Sequence, residues 1–171
     1  MKNIYFGFLV IILFSGSTYK KPCLCKENEE NIFSFATSGS KKSLSICVEK
    51  TSKYILYRFG SPEKIELQFP EKMNKTSWDQ FTYTGYRRGG GPQNLAMSDQ
   101  SLSFANKEAS YEVYDQWAYE DTTQGSFSRE TGIRIVVNGK EFNSNADLNT
   151  LSGSLENLTQ YTMIKNKSEQ E

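Results

Sequence analysis

The sequence predicts an all-β, mainly antiparallel domain: about eight strands forming a small barrel or a sandwich, with one short C-terminal helix. Three observations predict it. From Ile32 onward, stretches rich in β-branched and aromatic residues alternate apolar with polar. Turn formers separate these stretches, among them Gly60-Ser61-Pro62-Glu63 and Asn138-Gly139. Apolar residues spaced by three and four, the helical pattern, gather only near the C-terminus.

Ahead of that body, Met1-Lys2-Asn3 leads into an apolar run from Ile4 to Phe14 and then Ser15-Gly16-Ser17. A basic start, a short apolar stretch and small residues predict a signal peptide over residues 1–17, cut after Ser17. The run is about half of the roughly 20 residues a spanning helix needs, so no stable membrane insertion is expected after cleavage. Lipidation of Cys23 is not expected either, because Lys20, Lys21 and Pro22 stand where small and aliphatic residues would be required. The predicted location is secreted or periplasmic. The remaining chain reads as an N-terminal arm over 18–31, a single β-rich domain over 32–164 and a disordered tail over 165–171.

Within the domain, Leu44, Ile46 and Val48 share one face of a strand, with Ser43, Ser45, Cys47 and Glu49 on the other. Ile55, Tyr57 and Phe59 alternate with Tyr54, Leu56 and Arg58, and Ile65, Leu67 and Phe69 follow the turn at Gly60, which together predict a meander ending at Pro70. Met73 to Ser77 reads as a polar loop and Phe81 to Arg88 as a strand. Gln93 to Phe104 reads as two strand pieces bent near Ser98-Asp99-Gln100. Ser110 to Tyr119 is the longest aromatic strand, and Glu120 to Thr131 is predicted to be a mobile loop. Gly132 to Val137 and Lys140 to Phe142 form a hairpin across Asn138-Gly139, because a type I′ turn wants positive φ at both central residues. Leu148, Leu151, Leu155 and Leu158 place the short helix within Asp147 to Ile164.

The chain carries 20 basic and 20 acidic residues; loss of Lys2 with the leader leaves 19 against 20, a net charge of −1. With no concentrated basic stripe, neither nucleic acid nor anionic lipid is an expected partner. Cys23, Cys25 and Cys47 in an oxidising compartment predict one disulfide and one leftover thiol. A bond between Cys23 and Cys25 would be strained, so Cys47 is one partner. Cys25 to Cys47 is the expected pair, with Cys23 as the alternative. The tripeptides at Asn74, Asn157 and Asn166 fit the glycosylation acceptor pattern, but Asn, Lys, Ser and Thr are abundant enough here for such matches to arise by chance.

The chain has no histidine, which removes the usual routes to an activated serine or cysteine and to a zinc site. Asp115, Glu120 and Asp121 offer carboxylates, but their spacing does not define a catalytic pair. No catalytic residue, metal or cofactor is assigned. The candidate binding residues fall in two groups. Tyr86, Arg87, Arg88 and Asn94 flank the glycine-rich segment Gly89-Gly90-Gly91, where a partner could approach the backbone. Tyr114 and Trp117 lie on opposite faces of one strand, so at most one belongs to the core and the other is the better ligand contact.

Over Lys41 to Pro70, the segment Lys42-Ser43-Leu44-Ser45-Ile46-Cys47, then Tyr57-Arg58-Phe59-Gly60 and Ile65 to Pro70, resembles a group of uncharacterised exported bacterial proteins. The resemblance implies export and a β architecture, and no activity. In that group an additional cysteine often stands where this chain has Phe35, which implies a different disulfide pattern here. Size and compartment are also similar to those of periplasmic lysozyme inhibitors of the small-barrel type, although their loop motif is absent from this sequence. The expected function is that of an exported, non-enzymatic binding protein for a protein partner such as a cell-wall-degrading enzyme. The alternative is a glycan-binding module built on exposed aromatics.

Overall fold

The computed structural model describes residues 22–91, 94–120 and 125–168, so the expected leader lies outside the described residues. The strands are β1 (Glu29–Ala36), β2 (Ser43–Glu49), β3 (Ile55–Ser61), β4 (Lys64–Phe69), β5 (Thr82–Arg88), β6 (Met97–Asn106), β7 (Ala109–Tyr119), β8 (Phe127–Val137), β9 (Lys140–Asn145), β10 (Ser152–Gly153) and β11 (Lys165–Asn166). They form a five-stranded sheet in the order β10-β1-β2-β3-β4 and a six-stranded sheet in the order β11-β5-β6-β7-β8-β9. Pairing is antiparallel throughout except between β11 and β5. This is an all-β sandwich, its sheets joined at one corner by a bridge between Thr37 and Ala146.

The inward residues are those the two-residue period selects. Leu44, Ile46 and Val48 of β2 and Ile55 and Tyr57 of β3 meet Leu102, Phe104, Val113 and Ile133 of the opposite sheet. Phe104 is the hub: its ring stacks on Tyr111 at 4.8 Å and on Phe69 at 4.5 Å, with Tyr57 at 4.9 Å and Phe81 at 5.4 Å.

The outer face of β2 is also buried, because the arm lies across it. Leu24 N–H donates to Ser45 Oγ at 2.9 Å, and Arg58 Nη1 donates to the Leu24 carbonyl at 3.2 Å. Cys25 and Cys47 are bonded, with Cα atoms 5.5 Å apart, and Cys23 is the exposed free thiol. Beneath the arm Glu29 and Arg58 form a buried ion pair. β1 begins at Glu29, so the last part of the expected arm is already sheet.

Four expectations change. The segment around Ser98-Asp99-Gln100 is one continuous strand, because β5 and β7 hold it from both sides and the inward Gln100 is hydrogen-bonded to Ser98 Oγ at 3.0 Å and to the Tyr86 carbonyl at 3.1 Å. The mobile loop expected over Glu120 to Thr131 is strand in its last five residues: β8 starts at Phe127 and pairs with β7 out to Tyr119. The C-terminal helix is a six-residue 3₁₀ helix, Leu155–Gln160, preceded by a shorter 3₁₀ turn at Leu148–Thr150. The four leucines do not join into one helix because β10 pairs with β1 between the turns. The expected tail is ordered at its start, where Lys165 and Asn166 pair with β5 and Ser168 Oγ accepts from Gly85 N–H at 3.0 Å. The Asn138-Gly139 hairpin forms as predicted, with φ of 50° and 73°.

Candidate binding site

Strand periodicity and register together build the site. On the inner face of the six-stranded sheet, Tyr83, Leu102, Val113 and Ile133 lie in one cross-strand row and belong to the core. One step further along is the row Gly85, Gln100, Asp115 and Thr131, and beyond it the row Arg87, Ser98, Trp117 and Arg129. The face ends at the Tyr119 and Phe127 pair. An apolar core thus passes through a buried polar layer into a rim of aromatic rings and arginines.

The polar layer is fully engaged. Asp115 accepts from Arg129 Nε at 2.8 Å and Nη2 at 2.7 Å, and from Thr131 Oγ1 at 2.8 Å. A side chain at position 85 would occupy the space of the Tyr83 ring, whose hydroxyl bonds to Gln100. Burial, together with the charge of Glu156, pushes the Tyr83 phenol up to about 12. The carboxylate of this layer, Asp115, is thus held by one guanidinium and one hydroxyl. Of the other carboxylates considered from sequence, Glu120 accepts from Ser126 Oγ at 2.9 Å, and Asp121 lies outside the described residues.

At the rim, Trp117, Tyr119 and Phe127 form a cluster with ring centroids 5.5 to 6.2 Å apart. Tyr119 and Phe127 are 43% and 51% exposed, among the largest apolar exposures of the described residues. Among the described residues, the rim also carries an unpaired stretch of sheet edge. β8 pairs with β7 along its whole length, but β9 covers only Gly132 to Val137. Thr131 O accepts from Ala146 N–H, so by alternation the backbone groups of Arg129 and Phe127 point outward along the same edge.

Of the residues singled out from sequence, Arg87 and Trp117 come together in one row. Arg87 Nη1 donates to both carboxylate oxygens of Glu156, at 3.0 and 2.7 Å. Arg88 lies on the opposite face, as consecutive strand residues must, and its Nε donates to the Leu95 carbonyl at 3.0 Å. The two guanidinium groups therefore cannot grip one anion. Tyr86 shares the Arg88 face, and Asn94 is exposed beyond the glycines, where its carbonyl accepts from Gly91 N–H at 2.8 Å.

Tyr114 lies on the outer face of the sheet and is covered there. It lies over Gly132 and under the Arg134 guanidinium, 5.1 Å from the ring centre, and is 7% exposed. The inference that only one of Tyr114 and Trp117 could be core assumed that one sheet face is dry and the other wet along its whole length. Here the core face itself becomes wet beyond Val113, so Trp117 is half-exposed although it shares that face.

Phe127 was missed because it stands within a polar stretch; only its pairing with Tyr119 brings it to the cluster. Among the described residues, Cys25, Glu29 and Cys47 have the spacing of a metal site, but both sulfurs are in the disulfide and the carboxylate faces Arg58. Comparison with known protein families, curated proteins and solved structures gives no match.

Proposed function

We propose that this is an exported, non-enzymatic binding protein that engages a protein partner through the rim of the six-stranded sheet, a cell-wall-degrading enzyme being the partner class to test first. The observation that carries the reading is the cluster of half-buried Trp117 with exposed Tyr119 and Phe127, beside the edge of β8 that β9 leaves uncovered among the described residues. Aromatic residues and arginine are the side chains most enriched at protein interfaces, and an open strand edge offers main-chain hydrogen bonds to an added strand. Export is supported by the disulfide, which persists in oxidising compartments, and by the leader expected from sequence.

A glycan is the second reading, favoured by the half-exposed Trp117 between Ser98 and Arg129. The rings of the cluster meet largely edge to face, at 90° and 64° for the two Tyr119 pairs. That packing presents ring edges more than the open platform a sugar stacks on.

Capture from cell-envelope and culture proteins on the immobilised protein, beside a glycan-binding screen, separates the two. A saturable protein partner is expected, with affinity at least tenfold weaker for Trp117→Ala and for Phe127→Ser and reduced for Arg87→Ala. Sugar binding lost with Trp117→Ala, without a protein partner, would replace the first reading by the second.

A further inference from the structure

A groove lies at the opposite end of β7 and β8 from the rim, between the two sheets beside the β6–β7 turn. Its volume is about 680 Å³, within the range of small-molecule sites. One side is the inner face of the six-stranded sheet, with Tyr111, Ile133, Ile135 and Val137; Phe59 and Leu67 of the other sheet face them. From Ile133 to Val137 the strand advances roughly 13 Å, so the apolar lining is elongated. Charged residues line it only from Glu66 of β4 and from Lys107 and Glu108 of the turn, and Glu66 is already paired with Lys42 at 2.7 Å.

Tyr57 makes this more than an uncovered apolar surface. It is 1% exposed and lines the groove, with its ring against Phe104 and Tyr111. Its hydroxyl makes no hydrogen bond to any described residue. No sealed side-chain polar atom among the described residues lacks a partner, so this hydroxyl opens into the groove. Tyr111, half-buried beside it, likewise makes ring contacts and no hydrogen bond among the described residues. Burial and the neighbouring Tyr111 push the Tyr57 phenol well up, so it remains a protonated donor.

A ligand that fills the groove with apolar atoms alone would bury this hydroxyl unpaired, so a matching ligand carries an acceptor oxygen at that point. The one ammonium of the lining, Lys107, is outnumbered by the carboxylates of Glu66 and Glu108, so an ionised carboxylate is disfavoured there and the acceptor that fits is neutral. We propose that this groove binds a linear acyl ester, its carbonyl oxygen accepting from the Tyr57 and Tyr111 hydroxyls and its alkyl chain lying along Ile133, Ile135 and Val137. The site is independent of the rim, and neither requires the other to be occupied.

The test is calorimetric titration of the purified protein, with its Cys25–Cys47 bond intact, using methyl decanoate; decanoate and decane are the comparison ligands. Saturable one-to-one binding of the ester is expected, with decanoate and decane each at least tenfold weaker. Tyr57→Phe keeps the ring packing and removes the donor, and is expected to weaken the ester about five- to tenfold while leaving decane unchanged. Val137→Arg places a charge in the lining and is expected to abolish binding. Absence of saturable ester binding, or ester affinity unchanged in Tyr57→Phe, overturns the proposal. So does unchanged affinity in a folded Val137→Arg; if that variant does not fold, Tyr57→Phe decides alone.

Discussion

Glu29 and Arg58 show how a single buried pair is made tolerable. Both side chains are almost fully enclosed, and an isolated charge there would be very costly. The Glu29 carboxylate accepts from Arg58 Nη2 at 2.8 Å, from Lys26 N–H at 2.7 Å and from the Tyr54 hydroxyl at 3.1 Å, while Arg58 Nε donates to Gln68 at 2.9 Å. Burial by itself raises the Glu29 pKa, but the hydrogen bonds from Arg58 and Lys26 and the guanidinium charge outweigh it, so the carboxyl is held below 4.5. The folded value is thus below the unfolded one. The pair's contribution is present above that ordinary value and is lost as pH falls through the depressed one. Glu29→Gln leaves the guanidinium buried without its counter-charge and is expected to cost about 3–5 kcal/mol at neutral pH. Urea unfolding should show this loss, together with a shallower decline in stability below about pH 4.5 than the parent protein shows. Arg58 is legible from sequence only as a polar residue on an alternating strand. Its partner is 29 positions away, and no local pattern joins them.

At the level of elements, the arm and the sheet it covers are coupled by the Cys25–Cys47 bond. The sequence separation of 22 corresponds to about 3 kcal/mol of stabilisation in the chain-entropy picture. Replacing both cysteines by serine should lower the unfolding free energy by about that amount, with a further loss from a hydroxyl at the fully buried Cys47 position. Cys23→Ser, at an exposed free thiol, should leave the unfolding midpoint unchanged. The C-terminal stretch illustrates where local pattern runs out. Its leucine spacing is helical, and Asp147 and Ser154 each cap a turn through their side chains. Between those caps Gly153, at φ 81°, crosses beside Ile32 and Phe33, closer than a side chain would allow. Pairing with β1 overrides helix propensity there, because it satisfies main-chain groups that a continuous helix would take away from the sheet edge.

At the scale of the molecule, the core and the binding rim share strands but not consequences. Phe104 joins rings from both sheets, so Phe104→Ala is expected to cost about 3–5 kcal/mol. Trp117→Ala, at a half-exposed position beyond the polar layer, should cost less than half of that while impairing partner capture. Chemical denaturation of the two variants beside the capture assay checks the separation. Equal losses of stability would mean that Trp117 is a core residue and would remove the rim as a distinct surface.

Period-two alternation and turn chemistry were enough to determine an antiparallel β body, its meander and its Asn138-Gly139 hairpin, and cysteine spacing narrowed the disulfide to Cys47 with Cys25 or Cys23, because each depends on residues close together or on a small set of pairings. Strand register decided the rest. It placed Arg87, Trp117 and Arg129 in one row, brought Phe127 from a polar stretch to that rim, and turned Tyr114 under Arg134. The stacking of the sheets then left the Tyr57 hydroxyl facing a groove. Alternation tells which residues share a face of one strand. How far the opposing sheet extends over that face, and so where it is dry, polar or open, depends on packing between segments distant in the chain.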